Sequence, residues 1–291
     1  MTTLAALADR VARGSPVQID EASVVAGSHD LIAIGMMADD VRRQLHGTEA
    51  TFLRVFEMHV DAVGAALPST VSAGELRIVG QPASFAVACA AVAAARRIAG
   101  QLLLTGFSLT DLIGLDGSPG EFQRLKAAGL DGLADVSVDE SGAPESAIQG
   151  ARAAGLLVER LTVHSAPRDV VALLGRVLDL QRSVGGFRAF APLPRTTSIS
   201  APATGYEDVK LVALARLLVR DIPSIQVDWP LYGPKLAQVA LTVGADDVDG
   251  IAAVEPGVRG TRRSAIEEIK GNIRAAGLEP VERDGRYERR D

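Results

Sequence analysis

Residues 75–105 read ELRIVGQPASFAVACAAVAAARRIAGQLLLT. The first five, Glu75–Val79, are mostly apolar and β-prone and predict a strand. Residues 85–98 are rich in alanine and run into Arg96-Arg97, which predicts a largely buried helix. Residues 102–105 predict a second strand. A strand, a helix and a strand joined by short connections form a βαβ unit. The crossover helix returns the chain to the same end of the sheet, so the two strands run parallel.

The alternation continues in both directions. Residues 51–59 predict a strand before this unit. After it come strands at 135–138, 157–164, 187–193, 225–229 and 249–254. Between them lie helices at 118–128, 144–154, 167–184, 206–220, 234–243 and 264–276, several closed by glycines such as Gly155, Gly244 and Gly277. About seven or eight βα units imply an α/β fold, a (β/α) TIM-like barrel, complete or partly open. The doubly wound alternative needs a Gly-rich first turn, and neither G-x-G-x-x-G nor G-x-x-x-x-G-K-[ST] occurs. Residues 1–48 are helical over 4–13 and 30–45 and form an N-terminal helical extension; residues 49–291 form the barrel.

Composition narrows the class. The chain has 291 residues and is 47% hydrophobic, enough to bury a large core and to exclude disorder as the main state. It carries 30 Lys+Arg against 36 Asp+Glu, a net charge of −6. No basic run exceeds three residues, so nucleic acid is not an expected partner. The first ten residues lack a cationic segment before an apolar run, unlike a secretory signal. The most apolar stretch, residues 84–95, falls short of the roughly 20 residues that cross a bilayer. A cytoplasmic protein without a membrane partner is expected. Its one cysteine, Cys89, excludes an internal disulfide and a four-cysteine zinc site. No G-x-S-x-G, H-E-x-x-H or C-x-x-C occurs.

In a parallel barrel, chemistry gathers where strands end at their carboxyl side. Those ends supply Glu57, His59 and Asp61 from the first strand, then His164, Arg195, the group Asp228, Trp229 and Tyr232, and Glu255. Glu57 and His59 share a strand face. His164, Glu57 and Glu255 are the candidates for proton transfer. Arg195 could clamp a carboxylate, and Asp228, Trp229 and Tyr232 could hold a polar ring. Trp229 could equally fill the end of the barrel core. Asp246, Asp247 and Asp249 read as turn residues at the barrel's opposite face. No metal-ligand set is assigned.

Several segments resemble the radical-SAM enzymes of the futalosine route to menaquinone, aminofutalosine synthase first and dehypoxanthine futalosine cyclase next. They are Ser28-His-Asp-Leu-Ile-Ala-Ile-Gly35, Val41-Arg-Arg-Gln-Leu-His-Gly47, Gly185-Gly-Phe-Arg-Ala-Phe-Ala-Pro-Leu193 and Thr204-Gly-Tyr-Glu-Asp208. The strongest run is Trp229 to Gly250, and Pro280-Val-Glu-Arg-Asp284 with Tyr287 matches the family's C-terminal end. The resemblance implies a radical-SAM barrel. It also implies a C-x-x-x-C-x-x-C loop after the first strand, holding a four-iron cluster. Here that region, Asp61-Ala-Val-Gly-Ala-Ala-Leu-Pro-Ser-Thr-Val71, has no cysteine. The family's Gly-Gly pair, whose backbone meets the SAM amino group, is reduced to Gly80 followed by Gln81.

The expectation is therefore a radical-SAM-like protein of menaquinone metabolism with no 4Fe-4S cluster, and the broken glycine pair argues against SAM binding. One function consistent with that is a pseudoenzyme acting as hetero-oligomer partner of an intact radical-SAM paralogue. The other is a non-radical lyase, hydrolase or ligand-binding protein that takes a nucleoside or a chorismate-derived aryl acid in the barrel mouth.

Overall fold

The computed structural model describes residues 2–62, 72–115, 118–140, 145–196, 205–254 and 266–290. Three helices come first: α1 (Leu4–Ala12), α2 (Ala22–Gly27) and α3 (Leu31–His46). Thr3 caps α1 and Asp30 caps α3, each accepting a backbone N–H with its side-chain oxygen.

The alternating body follows: β1 (Glu49–His59), β2 (Glu75–Val79), α4 (Phe85–Ala99), β3 (Leu103–Ser108), α5 (Leu109–Gly114), α6 (Pro119–Ala128) and β4 (Gly132–Ser137). It continues with α7 (Glu145–Ala153), β5 (Arg160–Val163), α8 (Val170–Ser183), β6 (Ala189–Pro194), α9 (Gly205–Leu218) and β7 (Ser224–Asp228). It ends with α10 (Trp229–Leu241), β8 (Asp247–Ala252), α11 (Ile266–Ala275) and β9 (Glu279–Arg283). In α10 the chain kinks at Gly233, whose φ is 75°, so the regular helix starts at Pro234.

All pairings within the named strands are parallel, in the order β2-β3-β4-β5-β6-β7-β8-β1, and β1 pairs back to β2. The barrel is closed, which resolves the alternative of an open one. The register explains a ninth strand that periodicity missed. On one side β1 pairs with β8. On its other side Val55–His59 pair with β2, while Glu49–Leu53 pair with β9. The C-terminal strand thus occupies the gap below the short β2 at the barrel's amino end. Its sequence, EPVER, has too few apolar residues to show a strand period.

The core lies in two shells. Outward strand residues such as Leu76, Ile78, Leu104, Val136, Leu161 and Val248 pack against helix faces carrying Ala88, Val92, Leu125, Leu174 and Ala237. The N-terminal helices join this outer shell: α3 packs along α9, and Ile34, Met37 and Val41 are buried there.

The barrel interior holds charges instead. Arg77 on β2 donates to Glu75 at 2.7 Å and to both Asp249 oxygens at 2.9 and 3.2 Å. Arg160 on β5 also donates to Asp249 and to the Ala134 carbonyl. Because β2, β5 and β8 are not neighbours, these contacts cross the interior. Below them Arg283 of β9 grips Asp247 at 2.6 and 2.7 Å. Tyr287 lies against that guanidinium, 4.3 Å from its ring centroid. Asp247 and Asp249 are 0% and 2% exposed. The turn reading of these two acids is overturned: both sit inside β8, and paired guanidiniums make their burial possible. Asp246 precedes the strand and is buried as well. It accepts the Ile225 N–H at 2.7 Å and pairs with Arg216 of α9.

Candidate active site

The mouth of the barrel opens above this ionic layer into a cavity of about 360 Å³. Strand alternation sets its walls. Arg160 and Thr162 on β5, and His164 just past its end, follow one another at every second residue, and all three face the cavity. All three line the cavity, with Glu57 from β1, Gly80 and Gln81 after β2, and Arg195 and Thr196 after β6. Asp111, Asp135, Ser137 and Glu140 complete its polar walls.

The expected residues divide. Glu57, Gly80, His164 and Arg195 meet at this cavity. His164 Nδ1 stands 3.4 Å from Glu140, half-exposed, and its backbone N–H donates to Asp139 at 2.6 Å. That carboxylate also takes the Ser165 N–H at 2.8 Å, so Asp139 fixes the turn that presents the imidazole. Gly80 has φ +92°, and a Cβ there would lie 2.6 Å from His59 Nε2. The glycine is needed for its backbone, because the exposed His59 ring can move aside. His59 faces Asp61 at 3.5 Å on the outer rim, so it does not join Glu57 in the cavity.

Asp228, Trp229 and Tyr232 do not line the cavity. Trp229 is 1% exposed in the main core, with no partner for its indole N–H among the described residues. The core reading is correct, and ring stacking in the mouth is not what the structure places there. Asp228 caps α10, accepting the Leu231 N–H at 3.0 Å, and pairs with Arg195 at 3.5 Å. Burial raises its carboxyl from the ordinary value, with Arg195 acting in the opposite sense. The Tyr232 hydroxyl donates to the Pro194 carbonyl, and burial pushes its ionisation upward. Together Asp228 and Tyr232 fix the loop that carries Arg195. Glu255 lies outside the described residues.

Sequence reading missed the floor of the site. Arg77 and Arg160 line the cavity from below while their guanidiniums are held from beneath by Asp249. Burial acts to raise the Asp249 carboxyl, but Arg160 and Arg77 outweigh it and hold it well below the usual carboxylate range. A signal existed: an arginine in the centre of the apolar run ELRIV is a charge that must find a partner inside. Thr162 was also missed. Its side chain is 1% exposed, and its hydroxyl has no partner among the described residues. The cysteine stands elsewhere. Cys89 is on α4, its thiol raised by burial, with Arg124 and Glu121 of α6 as its charged neighbours.

A closed eight-stranded parallel barrel, with helices outside and a polar cavity at the strands' carboxyl ends, defines the (β/α) TIM-like barrel class. Methylornithine synthase superposes over 94% of this chain and 97% of its own, with a TM-score of 0.66 and 13% identity. The hydrogenase maturase HydG of Carboxydothermus hydrogenoformans superposes with a TM-score of 0.68 over 96% of this chain and 79% of its own, at 12% identity. These likenesses establish the fold alone.

Sequence similarity covers less of the chain. Residues 188–291 match the CofH/MqnC C-terminal region. Aminodeoxyfutalosine synthase of Streptomyces coelicolor is 36% identical over 144 residues, 42% of this chain and 37% of that protein. The 5-amino-6-(D-ribitylamino)uracil–L-tyrosine 4-hydroxyphenyl transferase of Methanopyrus kandleri is 36% identical over 138 residues, 42% of this chain and 37% of that protein. The matched stretch is thus little more than a third of these relatives' length. The resemblance is thus shown over part of the chain, with residues 188–291 similar to the CofH/MqnC C-terminal region. Among the described residues, no helix is long and apolar enough to cross a membrane.

Proposed function

We propose that this chain serves menaquinone metabolism by the futalosine route as a pseudoenzyme, the partner of a cluster-bearing radical-SAM paralogue. The observation that carries the proposal is the donor set. A cuboidal cluster needs three or four protein ligands, usually thiolates. The chain has one cysteine, and it lies on an outer helix beside α6 rather than after β1. These residues do not fit the cluster, and no step is derived through it. Support for a partner comes from α3. Ile32 and Met36, one helical turn apart, are 78% and 66% exposed, an apolar pair of the kind that interfaces cover.

The test is tagged co-purification from the native host under anaerobic conditions, with iron and cluster absorbance followed. An intact radical-SAM homologue in fixed ratio supports the proposal. It should be lost on Ile32→Glu with Met36→Glu. A colourless chain recovered alone overturns it.

A second reading is favoured by the cavity. About 360 Å³ lined by Glu57, Arg195 and the Glu140–His164 pair suits a small polar molecule. Under that reading the chain binds, or transforms without a radical, a nucleoside or an aryl acid. Calorimetry with both ligand classes tests it, and His164→Ala should then weaken binding about tenfold or more.

A further inference from the structure

A second cavity, of about 380 Å³, lies outside the barrel wall between α2, the turn into α8 and the first turns of α9. Its wall is largely apolar: Val170, Pro167, Leu211 and Leu214 line it. Arg168, Glu207, Asp208 and Lys210 bring charge to it, and of the two acids Asp208 is only 8% exposed. Among the described residues the Asp208 carboxylate accepts no hydrogen bond and pairs with no cation. Lys210 is two residues away on the same helix, yet its ammonium is spent elsewhere. It donates to the Ala26 carbonyl at 2.5 Å and the Ser28 carbonyl at 2.7 Å, tying α9 to the end of α2.

A buried carboxylate without a partner is costly, and native structures rarely keep one without a reason. The first turn of α9 favours negative charge there but supplies no counter-ion. The cations that line the cavity, Arg168 and Lys210, form no ion pair with Asp208 among the described residues. A largely apolar pocket of a few hundred Å³ with a few well-placed polar groups is the usual form of a small-molecule site. We propose that this outer cavity binds a small primary amine with an apolar body, its ammonium on Asp208 and its hydrocarbon against Leu211 and Leu214. Burial raises the Asp208 carboxyl, and Glu207 adds to the shift, the response expected of an acid awaiting a cation.

The inference stands apart from the mouth cavity, and from the partner proposal. It is tested on the full chain by calorimetry and saturation-transfer NMR with phenethylamine, 2-phenylethanol and phenylacetate. The amine should bind at least about tenfold more tightly than the alcohol, since a charge-assisted hydrogen bond replaces a neutral one. Phenylacetate should not bind. Asp208→Asn should abolish the preference for amine over alcohol, and Glu57→Gln in the mouth should leave it intact. Should the Asn variant fail to fold, Val170→Phe fills the same cavity and should block all three probes. No amine binding at millimolar concentration, equal affinity for amine and alcohol, or an effect of Glu57→Gln in place of Asp208→Asn would overturn the proposal.

Discussion

The floor and the mouth of this barrel are built from the same residue types and behave oppositely. On the floor, Arg77, Arg160 and Arg283 share Asp249, Asp247 and Glu75. All six are less than 8% exposed. At the mouth, His164 and Glu140 form a half-exposed pair, and the Thr162 hydroxyl has no partner among the described residues. The floor has satisfied its charges internally and is therefore fixed. The mouth holds its polar groups in looser, more exposed pairs, such as His164 with Glu140 and Arg195 with Asp228. Charge alone does not mark a site; a charge that the fold has not buried in a pair does.

The sharpest way to break this comparison is to remove Asp249. Its carboxylate holds Arg77 at 2.9 Å and also binds Arg160. Asp249→Asn leaves two buried guanidiniums with too little negative charge, at a cost of about 3–5 kcal/mol. Urea denaturation at pH 7 measures it. The same variant has a pH signature. The folded state holds the Asp249 carboxyl well below its ordinary value, so it contributes stability above the unfolded carboxylate range. That contribution is lost as pH falls through the folded value. The gap between wild type and Asp249→Asn should therefore be full at pH 7 and close as the solution is acidified below about pH 4. A gap independent of pH would show that the floor is held by packing rather than by charge.

Gly80 gives the next effect, at the boundary between the two regions. Its φ of +92° is strained for any side chain, and a Cβ would press on the His59 ring. Gly80→Ala should cost about 1–2 kcal/mol, seen as a lower melting temperature. His59 is exposed and can swing away, so the backbone carries the cost. Asp208 on the outer face runs the other way. Burial raises its carboxyl, so ionisation weakens the fold as pH rises above the unfolded carboxylate value. In the absence of ligand, Asp208→Asn should raise the melting temperature at pH 7 and lose that advantage in acid, where the wild-type group is protonated.

The same division explains what could be read in advance. The βαβ alternation and the mouth residues Glu57, His164 and Arg195 were legible because each follows from strand period plus the rule that strand carboxyl ends carry chemistry, while Gly80 was legible only through the resemblance. The floor was not, because Asp247 and Asp249 follow Gly244 and look like a polar turn. Only the arginines arriving from β2, β5 and β9 make that stretch a strand, and those contacts are remote in sequence. β9 was missed for the same reason: its place is set by the shortness of β2. Trp229 was open between two readings. An aromatic at a strand end suggested a ligand platform, but the start of α10 turns its ring into the core.

His164→Ala is the smallest expected effect on stability and the most informative about the mouth. The imidazole is half-exposed, and its one ion pair, with Glu140, is solvated. Such pairs contribute about 0–1 kcal/mol. The turn beneath it is held by backbone N–H groups donating to Asp139, which an alanine keeps. Stability should therefore change by less than about 0.5 kcal/mol. A loss above 1 kcal/mol by urea denaturation would mean that His164 is a structural group like Asp249, and the contrast between floor and mouth would fail at its best-exposed residue. A silent change in stability, joined to loss of a bound nucleoside or aryl acid, would place His164 among groups kept for a ligand, because nothing in the fold then requires it.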